Sequence, residues 1–154
     1  MTNSEQIVVF TLDEERYGIP LVNVERVVRI VAITPLPAAE EFIRGVINVQ
    51  GEIMPVVDLR RRFGLAERPD ELSDQLIIVR CDKRSFALVT EGTCEVREYT
   101  REQLTEEAEI HPHLPFLSGV VKLPDGLILL SDPESLLSFD ERELVDELLE
   151  REEP

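Results

Sequence analysis

The sequence predicts a mainly β protein built from two similar lobes, and three observations carry that expectation. Short runs of β-branched residues recur along most of the chain. Glycine, proline and acidic residues fall between those runs, where turns need them. A hairpin pattern in the middle of the chain is met again near its C-terminal end.

In chain order, IVVFTL from Ile7 to Leu12 and RYGI from Arg16 to Ile19 form a hairpin around an acidic turn at Asp13 to Glu15. Pro20 suits a first helical turn, and Leu21, Val24, Val28 and Val31 then recur at helical spacing, so a short amphipathic helix is expected to end near Ile30. The TPLPA stretch with Pro35 and Pro37 stops it. A second hairpin follows, Val46 to Val49 and Ile53 to Val57, with Gln50, Gly51 and Glu52 as its loop. A helical turn begins at Asp58, and the charged, proline-bearing AERPDELSD from Ala66 to Asp74 reads as a linker.

Beyond the linker, LIIVRC, FALV and EVREY suggest a series of short strands between Leu76 and Tyr99. Arg101 to Pro115 reads as a helical turn plus loop, and Ser118 to Ser131 as a hairpin around Pro124 to Gly126. Leu144, Val145, Leu148 and Leu149 make a narrow apolar stripe on an acidic helix from Asp140 to Pro154, expected to dock on the chain's own lobes. One domain over residues 1–154 is expected, with approximate lobes at 7–65 and 75–139 and the acidic helix at 140–154.

The two hairpins align. Gly45 matches Gly119, Val46 matches Val120, and Ile53 to Val57 matches Leu127 to Ser131 after a one-residue insertion in the loop. Each second strand runs into an acid and a leucine-bearing turn, Asp58 before LRRRF and Asp132 before PESLL. Upstream, YGIPLVNVERV from Tyr17 parallels FALVTEGTCEV from Phe86. Two related β lobes explain all three matches.

Composition narrows the function. The 154 residues and 43% apolar content allow a proper interior. With 16 basic against 32 acidic residues, the formal net charge of -16 repels phosphate backbones and anionic lipid, so neither nucleic acid nor direct membrane insertion is expected. MTNSEQ lacks the basic start and apolar run of a signal peptide, and no apolar run nears the roughly 20 residues that span a bilayer. A soluble, cytoplasmic protein is the expectation.

No reactive cluster stands out. Cys81 and Cys94 lie in strand-like segments without CxxC spacing, and are expected as buried thiols. His111 and His113 flank Pro112 and supply at most two metal ligands beside Glu109, short of the three or four a site needs, so they read as loop residues. Asp58 and Asp132, which could be mistaken for a general acid and base, precede short helices and are expected to cap them, with Pro133 in the first turn. No cofactor and no enzymatic activity are expected.

The order of YGIPLVNVERVVRI, ITPLP, FIRGVINVQGEIMPVVDLRRRFG, FALV and LSGVVKLPDGLILLSDPESLL resembles the CheW-like family of chemotaxis coupling proteins, from about Ile7 to Phe139. The resemblance implies two intertwined five-stranded barrels of SH3-like type. It also implies a non-enzymatic adapter between the cytoplasmic tips of methyl-accepting receptors and the histidine kinase CheA, recruited to membrane-associated arrays. By the same resemblance Val24, the Arg44 to Gly45 turn and the Asn48 to Gly51 loop match positions that contact receptor or kinase, so Val24, Arg44, Gly45, Asn48, Gln50 and Gly51 are the candidate partner-binding residues.

Competing roles exist at several of these positions. Gly51 serves a turn or a partner surface, and Val24 is core or contact. Arg60, Arg61 and Arg62 read as a solvated helix face, with contact to an acidic partner as the alternative. Ile47, Val49 and Ile53 read as packing within a lobe. Gln50 stands where the family has arginine in an NxRG turn, and TEGTCEV from Thr90 replaces a VDxVxEV-type pattern, which points toward a chemosensory pathway other than flagellar chemotaxis, such as surface motility or development. A small-ligand-binding β-barrel is a further alternative, and it requires an enclosed apolar cavity.

Overall fold

The computed structural model describes residues 4–36, 42–81, 84–106 and 117–136. Ten strands run in chain order through them: β1 Ser4–Leu12, β2 Glu15–Pro20, β3 Val24–Arg29, β4 Ile43–Val49, β5 Glu52–Val57, β6 Gln75–Cys81, β7 Arg84–Thr100, β8 Leu104–Glu106, β9 Leu117–Leu123 and β10 Gly126–Ser131. One short helix, α1 at Leu59–Arg62, and 3-10 turns at Leu21–Asn23, Arg101–Gln103 and Pro133–Leu136 complete the described residues. The expected helix over residues 140–154, His111, His113, Glu109 and Pro37 lie outside them.

Strand pairing crosses the sequence boundary between the two expected lobes. Sheet 1 joins β1 and β2 to β10, β9 and β8, and β1 also pairs with the C-terminal part of β7. Sheet 2 joins β3, β4 and β5 to β6 and the N-terminal part of β7. Each sheet therefore takes strands from both halves of the chain, and the 17-residue β7 passes through both.

The internal repeat is real at the level of register. Val56 pairs in parallel with Ala87, and Leu130 with Gly18, as the aligned sequence positions require. Gly45 lies opposite Val56 and Gly119 opposite Leu130. Thr34 bridges Val46, and Thr105 pairs with Val120 in the same relation.

Period-two alternation explains why the interior divides as it does. In β1, Ile7 and Val9 point into a cluster private to sheet 1, with Tyr99, Val121 and Ile128. Val8, Phe10 and Leu12 point the other way into a central cluster with Ile19, Val57, Ile77, Val79, Phe86 and Leu136. In β6, Leu76 and Ile78 face a cluster private to sheet 2, with Ile47, Met54 and Val56, while Ile77 and Val79 join the central one. Phe10, Tyr17 and Phe63 stack through this centre, with ring centroids 5.8 and 4.9 Å apart.

Three expectations are corrected here. The segment after Pro20 is a 3-10 turn and then strand β3, not an amphipathic helix. Val24, Arg26 and Val28 are half-buried while Glu25, Val27 and Arg29 are exposed, an alternation that the same valines fit as well as helical spacing, and β-branching favours the strand. FALV and EVREY are one strand, since Gly92 at φ 69° lets β7 continue from sheet 2 into sheet 1. Ile53 is 46% exposed, as is its repeat counterpart Leu127 at 57%, so neither packs within a lobe. Ile47 and Val49 are buried.

Ser131 occupies the position that the repeat fills with Val57, and both are buried. Its hydroxyl has no hydrogen-bond partner in the described structure, a desolvation cost of about 1–3 kcal/mol. Ser131→Val should therefore raise stability by about 1 kcal/mol in urea denaturation. A loss of stability would show that the hydroxyl is satisfied.

Candidate functional site

The first hairpin ends in a two-residue turn at Gln50 and Gly51, with φ of 51° and 90°. Positive φ at both positions gives the turn whose twist matches the flanking strands. Glu52, expected in the loop, already pairs with Val49 in β5. The Asn48 side-chain oxygen accepts the Gly51 N–H at 2.8 Å, and Arg26 Nη1 donates to Gln50 Oε1 at 2.8 Å. Asn48, Gln50 and Gly51 are thus brought together at one exposed end, with Arg26 beside them. Arg26 is hidden in the sequence because its segment also fits helical spacing. An arginine on the inward face of a strand, between Val24 and Val28, is the signal that would have found it.

The other three candidates sit elsewhere. Gly45 is buried at φ 153°, and a Cβ there would lie 2.2 Å from the Thr34 carbonyl oxygen. Val24 is half-buried against the central cluster. Arg44 makes a bidentate pair with Asp70, at 2.9 and 2.6 Å, and this hydrogen bonding raises its pKa against the opposing effect of burial.

A cleft of about 370 Å³ opens where the sheets adjoin, floored by Leu12, Ile43, Val57 and Leu59 and rimmed by Arg44, Arg60, Arg61, Arg68, Asp70 and Glu91. Asp58 caps α1 by accepting the Arg61 N–H at 3.1 Å, and Asp132 accepts the Glu134 N–H at 3.0 Å in the matching turn. The capped α1 aims Arg60 and Arg62 inward, so the reading of a solvated face is corrected for these two, while Arg61 stays exposed. Arg60 is only 14% exposed and bonds Asp13 at 2.8 Å and Glu91 at 2.9 Å. Arg62 lies 4.1 Å over the Phe42 ring and donates to the Leu136 carbonyl at 2.8 Å. The sequence shows the arginines but not that the β1–β2 turn and β7 deliver carboxylates to them.

Glu91 gathers three elements: it accepts from Arg60, from Arg68 Nε at 3.3 Å, and from the Asp13 backbone N–H at 3.3 Å. At the far hairpin, Asp125 takes Arg97 at 3.0 Å and Arg16 at 3.2 Å, and these hydrogen bonds, Arg97 first, hold its carboxyl down to about 2. An arginine from a neighbouring strand therefore grips each hairpin turn, Arg26 at one and Arg97 with Arg16 at the other.

Such paired charges suit recognition of a surface more than chemistry on a substrate. Among the described residues no three histidines, cysteines or acids gather as a metal site. Cys81 is buried and Cys94 half-buried, and burial pushes the Cys94 thiol up, away from reactive thiolate. The cleft has an apolar floor but a rim of ion pairs, and is not the enclosed apolar cavity a ligand-binding barrel needs.

Residues 6–141 match the family model described as the CheW-like domain. The chain belongs to the CheW-like family. It is 31% identical over 147 residues to the chemotaxis protein CheW of Klebsiella aerogenes, covering 94% of this chain and 89% of that protein. It is 26% identical over 132 residues to the chemotaxis protein CheW of Thermotoga maritima, covering 86% and 87%. The crystal structure of the scaffolding protein TtCheW from Thermoanaerobacter tengcongensis superposes with a TM-score of 0.81 at 32% identity, over 92% of this chain and 96% of that one. Membership makes the chain a CheW-type chemotaxis scaffold, a class without enzymatic activity. No helix among the described residues is long and apolar enough to cross a membrane.

The two glycines of the first hairpin should separate sharply on substitution. Gly45→Ala must strain φ and strike the Thr34 carbonyl, and should cost about 3 kcal/mol or more. Gly51→Ala meets nothing within 4 Å and should cost only the left-handed penalty, about 1–2 kcal/mol. Equal losses in thermal denaturation would contradict this assignment.

Proposed function

We propose that this CheW-family scaffold couples methyl-accepting receptors to a CheA-type histidine kinase, working in the cytoplasm at membrane-associated arrays. The observation that carries the reading is the match to the CheW-like domain over residues 6–141, which takes in both sheets. The sheets are best read as intertwined five-stranded barrels of SH3-like type, because Thr34–Val46 and Thr105–Val120 tie each sheet's edge back to its hairpin. The exposed turn at Asn48, Gln50 and Gly51 supplies partner contact. Val24, Arg44 and Gly45 contribute through placement, and Arg44 directly once Asp70 yields it.

One observation favours a narrower reading. Gln50 is tied to Arg26, so this turn presents a neutral side chain where relatives are expected to present a cation. A receptor pathway other than flagellar chemotaxis, whose contact meets the cation on Arg26 and not at position 50, fits that surface.

Calorimetry tests the reading. The chain should bind the C-terminal regulatory domain of a CheA-type kinase at micromolar strength, and absence of binding at about 100 μM would sink the proposal. Gln50→Arg should tighten receptor-tip binding by about tenfold at low salt and less at high salt, since a gained ion pair is screened. The same substitution loses the Arg26 hydrogen bond and should lower stability by about 1 kcal/mol. Affinity indifferent to both charge and salt would leave Gln50 a plain turn residue.

A further inference from the structure

The segment between α1 and β6 crosses the charged cleft, and its attachments are almost all electrostatic. From Ala66 to Ser73 no residue is buried, and Leu72 is 96% exposed. A strap without an apolar anchor has to be held by other means. Arg60 Nε donates to the Ala66 carbonyl at 2.6 Å, and Arg61 Nε reaches Glu67 at 2.9 Å. Asp70 takes the bidentate Arg44, while Arg68 turns back to Asp74 at 2.7 Å and Glu91 at 3.3 Å.

Two of these bonds run from arginines of the body, Arg61 and Arg44, to carboxylates that the strap itself supplies, Glu67 and Asp70, while Arg60 holds a strap carbonyl and the strap's own Arg68 reaches acids outside it. Glu67 and Asp70 stand where the carboxylates of an acidic partner segment would bind. We propose that residues 66–73 form an electrostatic latch, closed over the cleft in the free chain, whose opening releases Arg44 and the outer face of α1 to an acidic partner. The inference rests on the proposed adapter reading only for the identity of that partner.

The latch also explains an otherwise odd pairing of features. Four of the 16 basic residues of a strongly acidic chain line one cleft, yet the cleft as a whole is near neutral because strap and body acids balance them. Removing the strap carboxylates leaves the cleft more positive, which is the sign an acidic segment seeks. Ion pairs at partly exposed positions are weakened by salt and by competing anions, whereas buried apolar contacts are not.

Two partner-free measurements on the full chain test the latch. Hydrogen exchange of residues 66–73 should quicken at least fivefold between 0.05 and 1 M NaCl, and quicken similarly in Asp70→Asn at low salt, with exchange in β6 unchanged. Phenylglyoxal should modify Arg44 at least threefold faster in Asp70→Asn, read by mass spectrometry. Exchange or labelling indifferent to salt and to Asp70→Asn would overturn the latch. A third arm, receptor-tip affinity, should rise about threefold in Asp70→Asn. An unchanged affinity in a variant whose strap does open would overturn the release step, and binding by neither protein would overturn the adapter reading while the exchange data still stand for the latch.

Discussion

Strand exchange between the two halves of the chain is the constraint on which the rest depends. β1 finds one partner in the C-terminal part of β7, and β3 finds its partner in β6, so neither half can complete its hydrogen-bond ladders alone. The alternate faces of β1 and β6 then build one central cluster between two private ones. Burial on both faces of these strands accounts for their near-continuous apolar sequences, IVVF and LIIV.

That shared centre places everything functional at its margins. α1 hangs from the end of β5 under the Asp58 cap, and its Arg60 reaches the β1–β2 turn and β7 because those elements cross beside it. The hairpin turn at Gln50 and Gly51 projects from the far end of sheet 2 and is steadied by Arg26 from β3. Adapter surfaces of this kind need rigid shape and matched charge. The left-handed turn, the buried Gly45 and the Arg44–Asp70 pair provide shape and charge without any reactive group.

Much of this was legible in the sequence, for reasons that can be named. The hairpins, the repeat and the capping acids rest on local signals: turn glycines, β-branched runs, and an acid placed just before a short helix. What local signals could not give was long-range pairing. The stretch from Leu21 to Val31 satisfies helical and alternating patterns at once, and only β6 lying alongside decides for the strand. Arg60 and Arg62 looked solvated because their partners, Glu91 and the Leu136 carbonyl, are 31 and 74 residues away in sequence. Of the six candidate partner residues, the three at the turn are exposed together. Gly45 and Val24 carry packing duties that a family pattern does not distinguish from contact.

If the exchanged strands weld the sheets into one cooperative unit, damage confined to one private cluster must loosen both. Met54 is 1% exposed in the sheet 2 cluster, and Met54→Ala should cost about 2–5 kcal/mol. Native-state hydrogen exchange under mild urea reads each sheet separately. The account predicts that the slowest amides of β9 in sheet 1 lose protection by the same free energy as those of β4 in sheet 2. Full protection retained in β9 while β4 exchanges freely would show two independently folding sheets and contradict it.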